Sequence, residues 1–162
     1  MQGRAFLQLL FIVSTFLVAM VLEIAPWPSS LHHFKPAWLL LVLTYWILAM
    51  PAKISVGTAF CMGIAWDLVL GSTLGIHALV LSVFAYLLAV NSILIRNLSL
   101  WMQGIFVIFA VFSVRIGIFI VELFLHSADF NWQEIFGAMT SGVLWIWVFL
   151  LLRKMVKELH IG

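Results

Sequence analysis

From Ala5 to Leu22 the chain runs for eighteen residues without a charge, and long apolar runs recur from there almost to the C-terminus. Such runs, continuous and 14 to 24 residues long, read as membrane-spanning helices. Composition agrees. The 162 residues are 65% hydrophobic and 9% charged, against about 45–50% apolar and 25% charged in soluble domains. There is too little polar surface to cover a water-facing globule. The expectation is an all-α integral membrane protein of one domain, residues 1–162.

Six spans are expected, at residues 6–24, 37–50, 56–70, 76–95, 102–125 and 135–152. About 20 residues cross roughly 30 Å of hydrocarbon, so the second and third are short. The stretch PWPSSLHHFKP at 26–36 carries three prolines and breaks the first helix. PAKIS at 51–55, RNLSLW at 96–101 and HSADFNWQE at 126–134 are connectors. Asn131 and Glu134 have capping-box spacing. A cleaved leader is the competing reading of the N-terminus. The run is long for one, lacks a small-x-small cleavage site and is followed by more spans, so a retained helix is expected.

An even span count puts both termini on one side. Arg4, Lys53, Arg96, Arg153, Lys154 and Lys157 all fall on that side, and only Lys35 falls in a far loop. The positive-inside rule then sets both termini in the cytoplasm. This placement accounts for the net charge of +2 without nucleic acid. Trp27, Trp38, Trp101 and Trp132 fall at span edges, as an interfacial belt requires. Trp145 and Trp147 fall inside the last span, where packing explains them.

Within the apolar stretch GIAWDLVLGSTLG, Asp67 shares a four-residue spacing with Gly63, Gly71 and Gly75, and Ala59 extends it backward. Residues at i, i+4 and i+8 follow one helix face. Small side chains there admit a neighbouring helix closely, and such a seam shields the carboxylate from lipid. Turn formation is the reading for 71–75, ahead of a phosphate cradle, since no Walker lysine follows. Intramembrane charges are costly and seek partners. Asp67 lies about 17 Å along its span and Arg115 about 20 Å along its own, at about 1.5 Å per residue. These two are expected to face each other. Such a pair fixes helix register, serves a proton or ligand path, or binds a partner. Glu23 and Glu122 fall nearer the outer surface and, with His77, are candidates for an outer pocket.

No catalytic constellation stands out. Cys61 has no second cysteine to pair with. His32 and His33 lack the carboxylate or cysteine company of a metal site, and His126 ends the fifth span. Ser72 and His77 are too close in sequence for a nucleophile and its base. Ser82, Ser113 and Ser141 are mid-span serines, which usually bond their own helix. Gly137 and Ser141 form a further small-xxx-small pair. The expectation is a non-enzyme without metal or cofactor. The basic end, Arg153, Lys154 and Lys157, suits anionic lipid.

The chain resembles the MreD family of rod shape-determining membrane proteins, in its Gram-negative form. The likeness rests on EIAPWPSSL, FKPAWLLLVLTYWILAMP, GTAFCMGIAWDLVLGSTLGIHAL and the WIWVFLLLRK ending. Asp67, Gly71 and Gly75 match the family's recurring stretch, which implies that they matter. The resemblance implies an inner-membrane, non-enzymatic part of the cell-wall elongation complex. The implied partners are MreC through its membrane helix and, in a complex, MreB, RodA and a class B penicillin-binding protein. The family's fold resembles the S components of energy-coupling-factor transporters. The alternative function is therefore a solute-binding transport subunit. That reading needs an outward pocket lined by polar groups, and polar residues within the spans are few.

Overall fold

The structure, a computed structural model, describes residues 2–26, 28–30, 36–54, 56–71, 74–125 and 134–158. His32, His33, Lys35, Trp27, Ser72, His126, Trp132 and the Asn131–Glu134 box fall outside the described side chains. Seven helices form among the described residues: α1 Gln2–Ile24, α2 Trp38–Ala49, α3 Val56–Leu70, α4 Ile76–Val90, α5 Ser92–Arg96, α6 Leu100–Leu125 and α7 Glu134–Glu158. No strand occurs among those residues.

Three helices are long and apolar enough to cross a membrane: α1, α6 and the Ile135–Glu158 part of α7. The apolar helices α2, α3 and α4 are shorter, at 12, 15 and 15 residues. The expected span 76–95 is two helices. Asn91 interrupts it, with its side-chain amide donating back to the Leu87 carbonyl at 2.8 Å. Asparagine competes for backbone groups in this way and weakens a helix interior. The last helix runs on to Glu158, past the expected end at 152, because RKMVKE is made largely of good helix formers.

The centre is α2. It is apolar on every side, and Leu39 to Leu48 are all buried, as expected of a helix with no polar face. α1, α4, α5 and α7 pack around it. Lipid tails are as apolar as leucine, so these contacts rest on close packing and on a few hydrogen bonds. Trp46 Nε1–H donates to Thr15 Oγ1 at 3.0 Å, and its indole meets Phe11 edge to face. Gln8 Nε2 donates to Met50 Sδ at 3.1 Å. The Ala37 N–H donates to Ser141 Oγ at 2.9 Å, while that hydroxyl donates to the Gly137 carbonyl of its own helix.

These contacts fix directions. Gln8 meets Met50 and Thr15 meets Trp46, so α1 and α2 are antiparallel. Ala37 meets Ser141 and Tyr45 meets Phe149, so α2 and α7 run parallel. Gly104 lies against Gly142, and Trp145 Nε1–H donates to Gln103 Oε1 at 3.3 Å, in an antiparallel α6–α7 pair. The start of α1 and the end of α7 therefore share one end of the molecule. Trp145 is fully buried, whereas Trp147 is 59% exposed, so packing does not explain Trp147. Trp101, at the start of α6, is also exposed.

Candidate functional site

The most tightly joined pair of helices is α3–α4, and it carries the buried carboxylate. Ala59 is fully buried and Gly63 is buried beside α4. A Cβ on Gly63 would overlap the Ala78 backbone, 2.5 Å from its nitrogen. Only glycine permits this approach. The seam ends where α3 ends. Gly71 (φ +66°) and Gly75 (φ +103°) lie in the turn, in the left-handed region that glycine enters without a steric penalty. The four-residue spacing thus covers two roles, a helix seam at 59 and 63 and a turn at 71 and 75.

Asp67 stands one turn before the end of α3 and is 1% exposed. Its Oδ2 accepts the Gly75 N–H at 2.9 Å and its Oδ1 accepts the His77 N–H at 3.3 Å. Gly75 is the N-cap of α4, so the carboxylate caps the helix that follows its own. The first N–H groups of a helix have no internal acceptor, and the helix dipole favours an anion there. Oδ1 also lies 2.6 Å from His77 Nδ1. An ionised carboxylate only accepts, so Nδ1 carries the proton. The buried His77 ring rests against Trp66, with centroids 4.6 Å apart. Asp67 therefore joins α3, the turn and α4 through charge-assisted hydrogen bonds.

The expected Asp67–Arg115 pairing is carried forward as a proposal. Asp67 is near the end of a 15-residue helix and Arg115 is midway along one of 26 residues, and both engage further partners.

The outer-pocket candidates lie on three helices. His77 faces α3. Glu23 is the penultimate residue of α1, whose close packing is on α2, and Glu122 lies on α6. Two cavities lie among the described residues. One, of about 840 Å³, lies between α3, α4 and α6, lined by residues including Phe60, Leu79 and Phe124. The other, of about 430 Å³, lies between α1, α2 and α7. Both linings are apolar but for Ser82 in the first and Ser14 and Thr15 in the second. Arg153, Lys154 and Lys157 are exposed on the closing turns of α7.

Sequence reasoning missed Gln103. It is buried, and its amide donates to the Ile95 carbonyl at 3.0 Å and the Leu98 carbonyl at 3.3 Å while its oxygen takes the Trp145 indole. It thereby ties α5, the connector, α6 and α7 together. The available signal was an uncharged amide three residues into a long apolar helix. No group of three or more His, Cys, Asp or Glu residues suited to a metal ion occurs among the described residues.

Comparison with known proteins gives one consistent answer. The profile of the family described as rod shape-determining protein MreD matches residues 3–155. The chain is 54% identical over 161 residues to the Rod shape-determining protein MreD of Haemophilus influenzae, covering 99% of each sequence. No solved structure matches.

Proposed function

The chain belongs to the rod shape-determining MreD family, and from that premise we propose that it is a non-enzymatic membrane component of the machinery that maintains rod shape and organises peptidoglycan synthesis. The observation that carries this reading is the likeness over the whole length of the chain to a relative of that name. We place it in the inner membrane as six passes, with α4 and α5 together forming the fourth and both termini in the cytoplasm. The alternating helix directions and the basic residues gathered at one end support that arrangement.

Its direct partner in this reading is the membrane helix of MreC, with MreB, RodA and a class B penicillin-binding protein in the wider complex. The α3–α4 clamp suits such a role. It holds two short helices as one rigid unit against which another helix can be positioned. Solute transport is less well supported. A solute pocket needs a few convergent polar groups, and the linings of the two cavities described above are almost wholly apolar.

The test is a mild-detergent pull-down of the chain from native membranes, with mass spectrometry for proteins and small molecules. A stoichiometric single-span partner is the expected result. A bound metabolite without such a partner would overturn the assembly reading in favour of transport.

A further inference from the structure

Trp147 sits one residue from the midpoint of α7, yet it is 59% exposed. Tryptophan favours the membrane surface, where its ring lies in hydrocarbon and its N–H reaches water or headgroups. At the centre of a spanning helix neither is within reach, and an unmet polar group there costs free energy. Two other indoles show how the fold meets that cost: Trp46 donates to Thr15 and Trp145 to Gln103. Trp147 has no such acceptor among the described residues. Trp38 and Trp66 lack one too, but their N–H groups are buried inside the chain, where no second molecule reaches them. The Trp147 ring instead lines the open groove of about 430 Å³ that α1 and α7 leave between them on α2.

The other wall of that groove carries a hydroxyl at a similar depth. Ser14 is one residue from the midpoint of α1 and is exposed. It donates to the Phe11 carbonyl at 2.7 Å, which leaves its oxygen able to accept. α2 serves as a ruler for the two walls. The Ala37–Ser141 and Tyr45–Phe149 contacts set Trp147 level with Leu43. The Gln8–Met50 and Thr15–Trp46 contacts set Ser14 between the levels of Thr44 and Ile47. The two residues are therefore level to within about 6 Å, roughly one helical turn.

An acyl chain offers an indole no acceptor, and lipid carbonyls stay at the surface, about 15 Å from the midplane. A second protein surface supplies one at this depth. Two copies of one chain inserted in the same direction are related by a two-fold axis along the membrane normal, and residues that meet across it lie at equal depth. A donor on one wall of a groove and an acceptor on the other, at one depth, make that face self-complementary. We propose that the α1–α7 face joins two copies of this chain in a two-fold dimer, with Trp147 Nε1–H of each copy donating to Ser14 Oγ of the other. The contact goes beyond the assembly role and involves neither the α3–α4 clamp nor a single-span partner, so the two readings fail separately.

Energy transfer between full-length chains, labelled at the C-terminus and reconstituted in phospholipid vesicles, tests it. The unaltered chain is expected to dimerise. Trp147→Phe removes the N–H and keeps a ring, and Ser14→Ala removes the hydroxyl. Either change deletes both bonds of a symmetric dimer. At about threefold per interhelical bond, each variant should associate about tenfold more weakly. A mixture of the two variants keeps one bond, from the indole of the Ser14→Ala chain to the hydroxyl of the Trp147→Phe chain. The mixed pair should therefore associate about threefold more tightly than either variant with itself, a gain that a folding defect in either variant does not produce. Transfer no higher than random proximity in the unaltered chain would overturn the proposal. So would a mixed pair no tighter than either variant alone, or photocrosslinking from position 147 in native membranes that captures only another protein's helix.

Discussion

Asp67 does three jobs with two oxygens. It caps α4 through the Gly75 and His77 amides and fixes the His77 ring through Nδ1. Asp67→Asn keeps the size and one acceptor but loses the charge, so a cost of about 1–3 kcal/mol is expected. Asp67→Leu leaves buried N–H donors without an acceptor, and about 3–5 kcal/mol is expected. Thermal melting in detergent reads both, and rod shape on complementation should fail with leucine first. If asparagine were lost as completely as leucine, the charge would have a role beyond capping. A double-mutant cycle of Asp67→Asn with His77→Gln should show coupling of about 0.5–3 kcal/mol. The same cycle with Arg115→Gln tests the proposed Asp67–Arg115 pair: coupling in that range is expected, and additivity within about 0.5 kcal/mol would overturn it. The carboxylate itself was legible in the sequence because a charge in an apolar run demands a partner. His77 as a partner was not. Spacing along one helix says nothing about which residue of the next helix lies opposite, and ten residues separate Asp67 from His77 across a turn.

Helix positions were legible where hydropathy changes and illegible where it does not. α3 ends at Leu70, where GSTLG supplies left-handed glycines. The break at Asn91 was hidden, since one amide barely alters the hydropathy of a 20-residue window. The true extent of α7 was hidden for the opposite reason: charge ends a hydrophobic run without ending a helix. The seam between α3 and α4 gives a prediction of its own. Gly63→Ala forces a methyl into the Ala78 backbone, which cannot yield as a side-chain tip can. A loss of about 1–3 kcal/mol is expected, as for overpacked cores. Gly57→Ala, on the same helix with open space around its Cβ position, should be neutral or gain up to about 1 kcal/mol from helix propensity. Melting temperatures of the two variants check the pair, and a similar effect from both would mean that α3 and α4 are not packed as closely as described. Gly75→Ala has the space for a methyl but not the backbone. A cost of about 1–2 kcal/mol is expected from the left-handed conformation alone.

Across the whole molecule the helix directions alternate, and the contact pairs that set them come from distant parts of the chain. α1 rises from the terminal end, α2 descends beside it and α7 descends parallel to α2. α3 and α4 form an antiparallel hairpin, as do α6 and α7. Arg4, Lys53, Arg96, Arg153, Lys154 and Lys157 thereby gather at the terminal end. Glu23, Glu122 and the glycine turn at 71 and 75 lie at the other. Six basic residues in short segments set orientation strongly, so the terminal end is expected in the cytoplasm. A periplasmic-activity reporter fused after Glu158 should be silent, and one inserted at Gly71 should be active. The orientation rests on several segments at once. Lys53→Gln with Arg96→Gln should therefore leave it unchanged, because Arg4 and the three basic residues of α7 still point the same way. Reversal by that pair alone would mean that the terminal segments do not govern insertion. Active reporters at both positions in the unaltered chain would mean an odd number of passes. In that case one of the short helices α2, α3 or α4 would not cross the membrane.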